Sequence, residues 1–192
     1  MIFRFILLLL LAGCAAMPAQ QPMVEPMAYQ PHLQRIEKIS SFALSGRIAV
    51  LTETKGFSGS IRWHHHKEGD NIAFYSPLGT QLGQLDVGAD SVTLTTSDQK
   101  TYQAQDAEAL TQQTLGWSLP MSGLHDWVLG RPAAGDFKIM AWDDLGRIVS
   151  LQQHGWNIEY PAYSGELPAK VVLKSQKLDL KLVIEDWQTG ED

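Results

Sequence analysis

The side chains able to do chemistry sit in a few short stretches of the 192-residue chain. His64, His65 and His66 stand in a row within "WHHHKEGD", and three imidazoles invite a metal. On a strand, adjacent side chains point to opposite faces, so at most His64 and His66 share one. No cysteine or carboxylate follows at ligand spacing, and a solvated strand end explains the run better than a metal site. "GFSGS", Gly56 to Ser60, misses the G-x-S-x-G pattern of lipid hydrolases by one position. His125 and Asp126 are neighbours on a short predicted helix, where their side chains should diverge. His154 lies beside Gly155 in a predicted hairpin turn. No catalytic triad assembles from these pieces, and no enzyme activity is expected. Arg47 lies on the strand face opposite Ile48. A buried arginine there would suit the ester or amide carbonyl of a ligand, and a surface charge is the plainer reading.

Cys14, the only cysteine, has a more definite chemistry. The chain opens "MIFRFILLLLLAGCAA", with one basic residue (Arg4), an apolar run from Phe5 to Leu11, then small residues. This is a secretory signal, too short to span a bilayer as a permanent helix. Leu11-Ala12-Gly13-Cys14 resembles the lipobox of bacterial lipoproteins. That resemblance implies removal of residues 1–13, a diacylglycerol thioether on Cys14 and an acylated amine. At about 0.8 kcal/mol per buried methylene, two chains already anchor a protein stably. Ala15 stands where the same class carries an inner-membrane retention aspartate, so the outer membrane is favoured. Beyond these covalent groups no cofactor and no metal is expected, and the folded part has no disulfide.

Residues 14–30 carry Pro18, Pro22 and Pro26 among Ala, Gln and Met, with Pro31 following and no apolar period. They are read as a tether reaching roughly 40 Å in polyproline geometry. Residues 31–192 are enough for one domain with a real core. The formal charge of −6 falls to about −7 once Arg4 is removed, and no basic cluster exists. Nucleic acid is therefore a poor partner, and membrane contact should be apolar. A monomer is expected.

The domain reads mostly as strand. "FALSGRIAVL" puts Phe42, Leu44, Ile48 and Val50 on one face, and "LDLKLVIEDW" does the same with Leu178, Leu180, Leu182 and Ile184. Similar stretches recur at 57–65, 71–77, 81–88, 91–97, 100–104, 137–142, 147–153, 156–161 and 168–175. About eleven strands in this spacing predict a large antiparallel sheet, either a barrel or a curled open sheet. Three segments read as helix: Pro31 to Ser41, with Leu33, Ile36 and Ile39 on one stripe; "AEALTQQTL", capped by Asp106 and closed by Gly116; and "GLHDWVL", capped by Ser122. The last two are apolar on one side and should cover or plug the concave face.

"YSPLGTQLGQL", Tyr75 to Leu85, holds a turn with Pro77 at i+1 and Gly79 at i+3. Leu78 falls at its tip. Single exposed leucines are common, and alone this one means little.

Taken in order, the lipobox, the proline tether, "SGRIAV", "SGSIRW", "SPLG", "AQDAEAL", "LGWSLPMSGLHDWVLGRP", "QHGWNIEY", "LPAKVVL" and "IEDW" resemble the LolB family of outer-membrane lipoprotein receptors across nearly the whole mature chain. The resemblance implies an incompletely closed antiparallel barrel of about eleven strands, with a helical lid or plug over an apolar cavity. It implies a receptor that takes lipoprotein cargo by its acyl chains from a LolA-type periplasmic carrier and releases it into the outer membrane of a Gram-negative bacterium, from the periplasmic face. It also implies a protruding loop at Pro77, Leu78 and Gly79, with Leu78 dipping into lipid. Exposing a sixteen-carbon chain to water costs about 12 kcal/mol, so such cargo needs a dry concavity. Candidate lining residues are Phe42, Leu44, Ile48, Trp63, Phe74 and Leu85, together with Trp117, Trp127, Leu129, Ile148, Trp156 and Leu180. Alternation alone does not separate a filled core from a hole. The rival reading is a non-catalytic structural lipoprotein acting as an assembly scaffold.

Overall fold

The structure, a computed structural model, describes residues 24–191. The leader, Cys14 and most of the tether lie outside the described residues. Among the described residues three helices and eleven strands follow one another: α1 (Tyr29–Glu37), β1 (Ile39–Thr52), β2 (Gly56–His66), β3 (Gly69–Tyr75), β4 (Gln81–Gly88), β5 (Val92–Thr96), β6 (Thr101–Ala104), α2 (Ala107–Leu115), α3 (Met121–Val128), β7 (Phe137–Trp142), β8 (Ile148–Gln153), β9 (Trp156–Ser164), β10 (Leu167–Lys174) and β11 (Leu178–Glu191). The strands form one antiparallel sheet in the order β6-β5-β4-β3-β2-β1-β11-β10-β9-β8-β7. Every neighbour is a chain neighbour except β1 and β11, which pair along most of their length. The edges are β6 and β7, and the chain crosses between them through α2 and α3. The curled, unclosed sheet with helices on its concave side is one of the two architectures the strand spacing allows, and the one the resemblance implies.

Alternation builds the concave face. On β1, Phe42, Leu44, Gly46, Ile48 and Val50 are buried, while Arg47, Ala49 and Leu51 are exposed. On β11, Leu178, Leu180, Leu182 and Ile184 face inward. A bulge between Ser45 and Gly46 keeps this phase opposite β11. Gly46 is required there, since a β-carbon would lie 2.1 Å from the Val183 carbonyl oxygen.

Successive antiparallel turns alternate between two ends of the sheet. The turns at 53–55, 76–80, 97–100, 154–155 and 175–177 share one end, here called the mouth. The turns at 67–68, 89–91, 143–147 and 165–166 share the other, the base, and α1 packs there. Arg35 of α1 donates from Nε to both Glu166 oxygens at 2.7 and 2.8 Å, and Gly146 lies against the backbone of Ala28. The chain therefore enters the domain at the base.

Three local expectations shift. The first helix ends at Glu37, and Ile39 begins β1 by pairing with Glu191. Ile39 fits both a helical stripe and a strand, and the ladder decides it. Tyr29, counted with the tether, is already helical and buried against Trp142. Ser122 does not cap α3: Pro120 does, with its carbonyl accepting from Leu124 N at 3.0 Å, while Ser122 Oγ donates to Glu108 on α2 at 2.7 Å. Asp106 caps α2 by accepting from Glu108 N and Ala109 N, and Gly116 closes it at φ +83°.

Candidate functional site

Helices α2 and α3 behave as one lid. Besides the Ser122–Glu108 bond, the fully buried Thr111 hydroxyl accepts from Leu119 N at 2.9 Å and donates to Ala107 O at 2.8 Å. The lid fills the concave face over the middle and base of the sheet. Phe42, Leu44, Ile48, Trp63 and Leu85 are packed there, as are Trp127, Leu129 and Ile148, while Leu180 is buried nearer the mouth, opposite Val50.

Space remains toward the mouth. A cavity of about 290 Å³ opens between β1–β5 and the C-terminal end of α2, with Phe74 and Trp117 in its wall. The two rings meet edge to face at 6.4 Å. Val50, Phe57, Leu82, Leu94 and Leu115 complete its apolar lining, and Thr52, Lys55 and Thr96 stand among the lining groups as the polar ones. A second cleft of about 480 Å³ adjoins it, sharing Trp117 and adding the half-buried Trp156 and the His154 turn. Of the twelve candidate lining residues, Phe74, Trp117 and Trp156 border this space. Val50 and Leu94 were legible from alternation. Phe57, Leu82 and Leu115 lie near element ends, where the period gives little signal.

The Leu78 turn stands at the same end. Gly79 N donates to Ser76 O at 2.9 Å, Ser76 N donates to Thr80 O at 2.8 Å, and Gly79 has φ +86°. A two-sided backbone clamp of this kind holds a short hairpin loop rigidly, with glycine taking the left-handed position. Pro77 and Gly79 are exposed, and Leu78 is 95% exposed. Leu82, the second residue of β4, and Leu51 on β1, with β2 between β1 and β3, are also exposed apolar groups near the mouth.

Polar side chains fasten the lid to the sheet. Trp127 Nε1 donates to Gln153 Oε1 at 2.8 Å, and Gln153 also bonds the backbone of Ala133 at both its amide atoms. Asp70 accepts from Trp63 Nε1 at 2.7 Å and lies 2.8 Å from His65 Nδ1. His65 is therefore no solvated strand end: it packs inward, stacked on Phe42 and on His125. His125 and Asp126 do not diverge, with Nε2 and Oδ2 at 2.9 Å. Asp126 also accepts from Arg131 Nε at 2.7 Å, and Arg131 reaches the Ile36 carbonyl of α1. The bond to Asp126 raises the His125 pKa against the opposing effect of burial. Burial pushes the Asp126 carboxyl up, but donation from His125 and the Arg131 cation outweigh it, and its pKa is lowered.

No three His, Cys, Asp or Glu side chains gather as a metal ion would need among the described residues. His64 and His66 share the outer face with rings 6.5 Å apart. Arg47 is on that outer face too, exposed and paired with Glu185 at 2.7 Å, away from the cavity.

Comparison with known proteins gives a consistent result. The family model described as "Outer membrane lipoprotein LolB" matches residues 40–187. An outer-membrane lipoprotein LolB from Nitrosococcus oceani is 36% identical over 189 residues, covering 95% of this chain and 94% of the relative. One from Pseudomonas syringae pv. syringae is 32% identical over 191 residues, covering 96% and 93%. Among solved structures, a LolA superfamily protein from Nitrosomonas europaea superposes with a TM-score of 0.52 at 8% identity, over 85% of this chain and 94% of that one. A DUF1329 family protein from Desulfovibrio piger gives 0.53 at 6% identity, over 84% and 91%. These two likenesses are of fold.

Proposed function

This chain belongs to the LolB family of outer-membrane lipoproteins, and from that premise we propose that it is a receptor that accepts lipoproteins from a LolA-type periplasmic carrier and releases them into the outer membrane. The supporting observation is one of placement: an apolar cavity and a 95% exposed leucine on a rigid turn share the mouth of the sheet. Acyl chains enter at Phe57, Leu82 and Leu115 and lie against Phe74, Leu94 and Trp117. At about 290 Å³ the cavity is at the low end of ligand pockets, which run to about 1,000 Å³, so loading requires α2 to move outward. Transfer needs no nucleotide, because each step follows a difference in binding free energy. Acylation of Cys14 anchors the receptor, and Pro77, Leu78 and Gly79 form the element that meets lipid at release. Arg47, held by Glu185 on the convex face, has no part in this scheme.

A photoreactive acyl-chain probe tests the reading. It is expected to cross-link to residues around Phe57 and Trp117, and Leu115→Glu is expected to abolish capture while circular dichroism stays native. Unchanged capture by the folded Leu115→Glu protein overturns the assignment of the cavity. An absence of capture by the wild-type chain favours the scaffold alternative.

A further inference from the structure

A groove of about 430 Å³ runs down the convex face directly behind the Leu78 turn. It is lined by Ser45, Ser60, Arg62, Tyr75, Ser76 and Pro77, among others. We propose that this groove binds the phosphate of a phospholipid headgroup, with Arg62 as its cation, and thereby sets how deeply the Leu78 turn enters the membrane. The proposal rests on the reading of Leu78 as the element that meets lipid.

Register places the groups. Ser60 pairs with Tyr75 and Arg62 with Ala73, so Ser60, Arg62 and Tyr75 share the outer face of β2 and β3. The Arg62 guanidinium carbon lies 5.1 Å from the centroid of the Tyr75 ring. Among the described residues Arg62 makes no ion pair, whereas Arg47, on adjacent β1, is paired with Glu185. The groove's own carboxylate is thus answered by Arg47, and the Arg62 cation is left for a ligand. The Ser76 oxygen accepts from Thr80 N at 3.2 Å, which leaves its O–H free to donate into the groove. A guanidinium with hydroxyl donors matches a phosphate ester, which guanidinium groups bind in bidentate fashion.

The height is right for a headgroup. Leu78 is three residues past Tyr75 and, on the turn, stands at most about 10 Å beyond it. Interfacial segments bury their apolar side about 5–10 Å below the headgroup boundary. With Leu78 at that depth, Tyr75 and Arg62 stand in the headgroup layer, where aromatic rings with polar tips and basic side chains concentrate. A chain of net charge −6 has no general attraction to anionic lipid, so such contact has to be local.

Vesicle partitioning of the mature chain carrying Cys14→Ser decides it, using phosphatidylglycerol and phosphatidylethanolamine at 1:3. Arg62→Gln is expected to lower the partition coefficient about five- to tenfold and to flatten its salt dependence, while Lys181→Gln, at an exposed cation on the same face outside the groove, leaves both unchanged. Equal partitioning by Arg62→Gln and the wild type overturns the proposal. An equal fall in Lys181→Gln also overturns it, since any surface cation would then serve. Inorganic phosphate titrated by ³¹P spectroscopy separates the other source: Arg62-dependent binding of free phosphate, with vesicle partitioning unaffected by Arg62→Gln, assigns the groove to a soluble anion and overturns the headgroup reading. Leu78→Glu tests the underlying reading separately. Its loss of partitioning alongside an unaffected Arg62→Gln upholds the role of Leu78 and removes the groove; undiminished partitioning by Leu78→Glu removes the premise.

Discussion

The imidazoles of His65 on β2 and His125 on α3 stack with centroids 5.4 Å apart and planes 13° from parallel. The sheet wall and the lid therefore meet through two titratable rings, with Asp70 beside the first and Asp126 and Arg131 beside the second.

That contact makes stability depend on pH in a defined direction. His125 has a folded pKa above its ordinary 6.5, so the stability it contributes is full below about pH 6.5 and is lost as pH rises through the raised value. The Asp126 pKa is lowered, so its contribution is present above the ordinary carboxylate range and is lost as pH falls through the lowered value. The pair is strongest between about pH 4 and 6.5. Thermal unfolding followed from pH 6 to 9 should show a falling midpoint in the wild type. His125→Gln should remove about 1 kcal/mol at pH 6, allowing for partial exposure of the ring, or about 3 °C, and little at pH 9. Parallel pH profiles for the two proteins would contradict this.

Gly123 on α3 accommodates the indole of Trp127 one turn later. A β-carbon on Gly123 would fall 2.3 Å from the Trp127 ring. Gly123→Ala must displace the ring, which is fully buried and bonded to Gln153. A loss of about 1–3 kcal/mol in denaturant unfolding is expected, as for other overpacked cores. A stability within 0.5 kcal/mol of wild type would show that the ring can give way freely.

Leu78→Glu should leave the fold intact. The turn's hydrogen bonds come from backbone groups and Ser76, and the leucine side chain is exposed. Unfolding should change by less than about 0.5 kcal/mol. Acceptance of cargo from a carrier should persist, and delivery to liposomes should fall at least tenfold. Delivery at the wild-type rate would rule out the membrane role of this residue.

Loading should part Trp117 from Phe74, whose rings now meet at 6.4 Å across the cavity. Trp117→Phe, compared with wild type, isolates the emission of Trp117, and its maximum should move when an acyl ligand enters. A spectrum unchanged at saturation would show that the cavity is not the binding place.

Most strands were legible because one face of each is buried; the edge strands β6 and β7 carry no buried residue. The period-two pattern of β1 runs unbroken past the bulge, because the extra residue, Glu185, belongs to β11, where the inward phase steps from Ile184 to Trp187. Local ambiguity misplaced what sequence periodicity leaves undetermined. Ile39 serves a helical stripe and a strand equally, and only its pairing with Glu191 decides. His65 reads as solvated until Asp70, Phe42 and His125 are brought around it from three other elements. The cavity was the least legible part. Leu85 and Leu94 alternate identically, yet Leu94 borders the cavity and Leu85 is packed away from it, because the difference lies in where α2 stops.

Entry of the chain at the base has a consequence for reach. Under the proposed anchoring, the lipid on Cys14 and the Leu78 turn meet the same membrane from opposite ends of the sheet. Strand β1 alone, with 14 residues, is about 46 Å long. The stretch from Cys14 to Tyr29 spans at most about 50 Å when fully extended. The leash and the body it holds are thus nearly equal in length. The receptor can set its mouth on its own membrane only by stretching the leash along its flank or by lying down on its side. Shortening that leash by a few residues would leave lying on its side as the only way to touch down.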